Sequence, residues 1–201
     1  MAHSLDPDIL KYLAQPANIR LAFEIASYAE GLKRDLLKDF WDNLGAEIVK
    51  TRPRGRSADE FSFSKPTVVD EPAVALRAVP RRSTAQPRQL AVTVEQALKL
   101  ESYELYVGLH WNLEIPVKDP LYANPPLQKL KQAFHAAGSE GFTSYWIGWR
   151  VIHSFDSPEE FLCTYLDDRQ AILEPIATAF WTVVDHHQEG VDEVNKAIAT
   201  F

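Results

Sequence analysis

Tyr106, His110 and Asn112 recur at every second or fourth position, and Trp146, Arg150 and His153 follow at comparable spacing further on. In an extended strand, residues two apart share a face. If the two segments are neighbouring strands, with the wetter face of the first beside the Trp146 and Arg150 face of the second, a Tyr, a His, a Trp and an Arg meet. Such a group could stack a planar base, or grip an anion through the guanidinium. The candidate ligand-binding residues are therefore Tyr106, His110, Trp146, Arg150 and His153. With His as acid or base, the same neighbourhood would be the centre of an enzyme of unrecognised type. The plainer alternative is that a helix covers this face and the aromatics are core.

No other local pattern supports catalysis. The eight glycines form neither G-x-G-x-x-G nor G-x-x-x-x-G-K-[ST], and no G-x-S-x-G elbow occurs. His186 and His187 are adjacent, so on a helix they diverge and cannot make the i, i+4 pair of a metal site; a solvated helix end is expected there. Cys163, the lone cysteine, sits at apolar spacing in Phe-Leu-Cys-Thr-Tyr and is expected to be a buried, inert thiol. No catalytic residue, metal ligand or cofactor site is assigned.

The elements that must position these residues follow from periodicity. From 17 to 48, Ile19, Phe23, Leu32, Leu36, Phe40, Leu44 and Ile48 belong to an apolar stripe recurring every three or four residues, which predicts a long helix packed along its length. A short helix, Asp8 to Ala14, precedes it. Strands are expected at Phe61 to Phe63, Ala73 to Val79, Leu90 to Val94, Tyr103 to Leu113 and Tyr145 to His153. The Asn124-Pro-Pro start and the Gly138 stop bracket a helix between the last two. Ser157-Pro-Glu-Glu160 reads as a capping box opening a C-terminal helical block. A further helix there carries Ile172 to Val183 and frays at Asp185 to Gly190. The order predicts an α+β fold: an antiparallel or mixed sheet of about five short strands, packed by a long N-terminal helix and a C-terminal helical block. The 201 residues suffice for a single domain with one core.

Charge is divided along the chain. Lys+Arg number 21 against Asp+Glu 28, a formal charge of -7. Yet residues 50–88 hold nine basic against four acidic residues and five of the 13 prolines. Proline excludes one long helix or central strands there, so 50–88 reads as a basic, extended segment with mobile parts around 51–58 and 80–88. Arg52, Arg54, Arg56, Arg81 and Arg82 are its candidates for holding an anion or nucleic acid. The alternative is a solvated loop whose arginines pair with acids of the same chain. From Asp156 onward ten acids face only Arg169 and Lys196, a surface suited to a basic protein partner.

The single cysteine fits a reducing compartment. The first residues lack the basic start and apolar run of a signal peptide, and no stretch approaches the roughly 18 apolar residues of a membrane span. A cytoplasmic protein without a membrane partner is expected.

One resemblance enters here. Leu36-Leu-Lys-Asp-Phe-Trp-Asp-Asn-Leu44 looks like the F-W-x-x-L helix of accessory domains found in bacterial PD-(D/E)XK nuclease-like proteins. Tyr103 to Trp111, the Leu127 to Phe134 helix and Tyr145-Trp-Ile-Gly-Trp149 follow the same plan, over residues 30–165. The resemblance implies a non-catalytic α/β partner domain associated with bacterial defence or mobile elements. The nuclease's own metal-binding strand is absent: Glu114-Ile-Pro-Val-Lys118 does not match E-x-K spacing and is interrupted by Pro116. The combined expectation is a non-catalytic interaction or ligand-recognition module, with a protein partner or oligomer, or nucleic acid through 50–88. The alternatives are the enzyme above and a structural subunit of a larger assembly.

Overall fold

Proline at the first turn and a sequence rich in Ala, Leu, Glu, Lys and Arg produce α2, Pro16–Lys50, which runs through Gly31 and Gly45 and follows the short α1, Pro7–Leu13. The computed structural model describes residues 7–13, 15–56, 60–64, 73–80, 88–98 and 102–199. At 1.5 Å per residue α2 is about 50 Å long; α1 contacts it, and its C-terminal half packs into the core. There Leu37, Phe40, Trp41, Leu44 and Ile48 are buried, packed on α4 (Pro158–Asp167) and α5 (Arg169–Ile198). Ile19, Phe23 and Leu32, expected to share that burial, are exposed. The continuous stripe in the sequence outruns the core it was expected to meet.

Five strands form one sheet in chain order: β1 (Phe61–Ser64), β2 (Ala73–Pro80), β3 (Leu90–Leu98), β4 (Tyr103–Trp111) and β5 (Trp146–Phe155). All four pairings are antiparallel. This is the α+β architecture the order of elements implied, with the sheet antiparallel and not mixed. β3 continues four residues past Val94, through Glu95 and Gln96. Polar side chains in the middle of a sheet persist when they are hydrogen-bonded. Here Gln96 accepts a bond from the Tyr103 hydroxyl at 2.6 Å and Glu95 one from Tyr106 at 3.1 Å.

Helices α3 (Pro125–Ala136), α4 and α5 lie against one face of the sheet. That inner face supplies Leu90, Val92, Val94, Leu105, Val107 and Leu109 to the core. The Ser157 hydroxyl accepts the Glu160 N–H at 3.1 Å, capping α4 as its sequence proposed. Glu160 itself reaches back to the N–H of Asp156, one residue before the cap. Phe161, Leu162 and Tyr165 occupy the buried side of α4, which leaves Cys163 exposed, contrary to expectation.

Nor does α5 fray at Gly190. The helix runs through it, and a Cβ there would stand 2.9 Å from Leu130 Cδ1, so the glycine marks where α3 crosses α5. His187 is buried edge-on against Phe134, ring centroids 4.9 Å apart, and only His186 faces solvent. Near the far end Asn195 joins the sheet's backbone. It accepts the Leu90 N–H and donates to the Leu90 carbonyl, both at 2.9 Å, which satisfies groups otherwise orphaned in the core. No helix among the described residues is long and apolar enough to cross a membrane.

Candidate functional site

The alternation of β4 sends Tyr103, Leu105, Val107, Leu109 and Trp111 inward and Tyr106, Gly108 and His110 outward. Across β3, Glu95 stands opposite Tyr106, Thr93 opposite Gly108 and Ala91 opposite His110. Beyond them Arg77 of β2 pairs with Thr93. None of these outer-face residues belongs to the helix-covered core cluster.

On β5 the simple alternation fails. The register shifts twice, between Leu105 and Tyr106 and between Leu109 and His110, so His110 faces Trp146, Gly108 faces Trp149 and Tyr106 faces Val151. Each bulge inserts a residue and reverses which parity points outward. Trp146 and Trp149 therefore both lie on the outer face with Tyr106 and His110. Arg150 and His153 pair with the inward-facing Val107 and Leu105 and go to the other side.

The expected five-residue cluster is thus divided. Tyr106, His110 and Trp146 come together. Arg150 donates to the carbonyl of Ala137 at the C-terminal end of α3, where a cation meets the negative end of the helix dipole. His153 stacks on Phe155, ring centroids 5.8 Å apart, beneath α5. Burial lowers the pKa of the His153 imidazole, with a small opposing contribution from the Ile172 backbone.

Glycines let the outer aromatics settle. A Cβ on Gly108 would approach Trp146 Cζ3 at 2.9 Å and collide with the Gly148 carbonyl, so Trp146 lies over bare backbone. Gly141, at φ +65°, leaves room for the Trp149 ring, whose strand is extended by the Glu140–Trp149 bridge. The rings form a connected group. His110 meets Trp146 edge-on at 4.6 Å and Tyr145 in a stack at 5.8 Å, while Tyr106 meets Trp146 at 5.5 Å and Trp149 at 6.3 Å. Tyr145 is 42% exposed and Trp149 half-buried, so they form the accessible rim.

Beneath the rim lies polar chemistry. Burial raises the Glu95 carboxyl to about 7, against smaller opposing contributions from the Tyr106 hydrogen bond and from Arg77. Burial, together with the Arg77 charge, depresses His110 to about 3, with the nearby Trp111 backbone opposing weakly. Glu95 Oε2 and His110 Nε2 are 3.8 Å apart, but between these two pKa values both groups are neutral and the contact is not an ion pair. His110 Nδ1 and Thr93 Oγ1 are buried and find no hydrogen-bond partner among the described residues. A carboxyl titrating near 7 can either donate or accept a proton, and His110 and Thr93 hold unused capacity beside it.

Glu95, Thr93, Arg77, Trp149 and Tyr145 were not foreseen as site residues. The available signal was Glu95 itself, a carboxylate at the outward position of a mostly apolar strand. The Trp149 position was concealed by the bulges, which periodicity does not reveal.

The basic segment is only partly described, and Arg81 and Arg82 lie outside the described residues. Arg56 is engaged. Its Nε donates to Asp185 at 2.9 Å and its Nη1 to Glu60 at 3.1 Å, binding the chain after α2 to α5. Burial alone would lower its pKa, but the two acidic partners together outweigh burial and leave it raised. Arg88 lies 3.5 Å from Asp119. Arg52 is half-buried and Arg54 exposed. Among the described residues no three His, Cys, Asp or Glu side chains converge as a metal site.

No family model, curated protein or solved structure matches the chain. The functional reading rests on geometry.

Proposed function

We propose that the protein is a non-catalytic recognition module whose ligand seats on the outer face of the sheet, stacking on Trp149 and Tyr145. The carrying observation is the accessible aromatic rim itself, Tyr145 42% exposed and Trp149 half-buried, which rests on buried polar groups including a neutral-range carboxyl. The fitting ligand is an uncharged planar ring that stacks on the rim, such as a nucleobase. A strongly anionic ligand fits less well, because Arg150 lies on the opposite face and Arg77 is half-buried beside Glu95. The enzymatic alternative asks His110, Trp146, Arg150 and His153 to act together, and the two faces of the sheet divide them. The nucleic-acid reading of 50–88 loses Arg56 to Glu60 and Asp185. A partner-binding role also accords with the resemblance of residues 30–165 to bacterial defence-associated accessory domains.

The test is a titration with adenosine, guanosine, cytidine and uridine, followed by the indole N–H signals in NMR. Saturable shifts at Trp146 and Trp149 with at least one nucleoside, lost in Trp149→Ala, are expected. Absence of saturable shifts with all four would overturn the planar-ring assignment.

A further inference from the structure

A ring stacked on Trp149 and Tyr145 meets carboxylates before it meets a cation. Glu140 pairs with Trp149 through two backbone hydrogen bonds, at 2.7 and 3.0 Å. Residues opposed in this way share a face, with their Cβ atoms about 5 Å apart, so the exposed Glu140 carboxylate flanks the Trp149 ring. Glu114, also exposed, accepts the hydrogen bond of the Tyr145 hydroxyl at 3.4 Å. Neither carboxylate is drawn into an ion pair among the described residues. Glu104 shares the outward side of β4 with Tyr106. Against these, the five strands carry two cations. Arg150 turns to the helix-covered side. Arg77 shares the outer face but stands on β2, three strand spacings from β5, roughly 14 Å at about 4.8 Å each. Glu95 of β3 lies between. Exposed charges are largely screened beyond about 8–10 Å, so the rim feels its carboxylates and not Arg77.

We infer, building on the planar-ring reading, that Glu114 and Glu140 are specificity-determining residues: they restrict the ligand to a ring without phosphate, a free nucleobase or nucleoside. A nucleoside is about one screening length long, so its 5′-phosphate falls within reach of these carboxylates however the ring is turned. Like charges brought to that range with no cation beside them repel. The same fence turns away a nucleic-acid strand, whose bases reach a stacking platform only with their phosphates alongside. Surfaces that do bind strands combine their aromatic platforms with a positively charged groove, and here the platforms stand among acids.

The experiment titrates adenosine, guanosine, cytidine and uridine into the full chain, each beside its 5′-monophosphate, and reads the Trp149 indole signal. Above pH 7 the phosphate carries close to two negative charges. The nucleoside that binds tightest should exceed its monophosphate in affinity by roughly tenfold at low salt. The gap should close toward about 1 M salt, because screening rescues the monophosphate. That is the reverse of the salt response of a phosphate-binding surface. Glu114→Gln/Glu140→Gln changes two exposed positions and keeps an acceptor for the Tyr145 hydroxyl, so its thermal transition should match the wild type. Its low-salt gap should shrink to about twofold. A monophosphate that binds as tightly as its nucleoside at low salt would overturn the exclusion while leaving the planar-ring reading intact. So would a gap that the double substitution leaves in place. If no nucleoside binds, the planar-ring reading fails and this inference fails with it.

Discussion

Strand β4 presents two chemistries one residue apart. Leu105, Val107 and Leu109 point into a helix-covered core without a polar atom among their side chains. Tyr106 and His110 point to a face where a carboxyl, an imidazole and a hydroxyl are held out of water, the last two each with an atom lacking a hydrogen-bond partner among the described residues. The inner face supplies stability through apolar burial and close packing. The outer face works against it, since burying polar groups without full compensation costs free energy. A fold that retains such a face keeps hydrogen-bonding capacity ready for something else to satisfy.

The largest test of the contrast is on the inner side. Leu109→Ala should cost about 2–5 kcal/mol, the range for a fully buried leucine whose cavity cannot collapse, read by chemical denaturation. A cost under about 1 kcal/mol would mean that the helices do not seal this face.

On the outer side the sign reverses and depends on pH. The Glu95 pKa rises from 4.5 to about 7 on folding. Its favourable contribution is complete below pH 4.5 and is lost as pH climbs through 7. The loss is on the order of 3 kcal/mol by linkage. His110 runs the other way: lowered from 6.5 to about 3, its contribution is present above 6.5 and lost as pH falls toward 3. Half-buried His153 and buried His187, both lowered, add to this acid limb. Between about 4.5 and 6.5 the falling Glu95 contribution and the rising histidine contributions oppose each other, so stability should rise from pH 3 to about 4.5, change less up to 6.5, and lose its dependence on Glu95 above about 7. Glu95→Gln should abolish the decline and be the more stable protein by about 2–3 kcal/mol at pH 8. Parallel pH dependences of the melting temperature for the two proteins between pH 4.5 and 7 would refute the assignment.

These two faces also mark what could be read in advance. Alternation in Tyr103 to Trp111 gave the correct facing of β4, and the same argument worked for α4, where the cap residue, Ser157, is adjacent in sequence to what it caps. Two readings failed because their determinants are remote. Gly190 resembles a helix stop, but Leu130, sixty residues away, makes it a crossing point. Trp146, Trp149 and Arg150 were sorted by a period of two, and two bulges set by pairing with β4 reversed the order. Charge segregation likewise said nothing of geometry: Arg56 meets Asp185 only because the chain after α2 folds onto α5.

A smaller effect separates retained capacity from ordinary packing. Thr93→Val exchanges a fully buried, unpartnered hydroxyl for a methyl of similar size. The protein should be unchanged or stabilised by up to about 1 kcal/mol, while any nucleoside affinity falls. Destabilisation by more than that would show that the hydroxyl serves the fold.

The smallest expected effect isolates the hydrogen bond inside the site. The Tyr106 hydroxyl donates to Glu95 Oε1 at 3.1 Å, and this bond favours the ionised carboxyl. Tyr106→Phe keeps the ring, with its edge-on contact to Trp146, and removes only the donor. The net cost should be about 1 kcal/mol. The more telling change is in titration: deprived of its donor, the Glu95 carboxylate is harder to form, so its pKa moves above 7 and the decline in stability runs on to higher pH. Carboxyl carbon shifts followed by NMR measure this directly. A titration that stays in place or moves down would mean that burial alone governs Glu95, and that the Tyr106 hydroxyl is not part of the site.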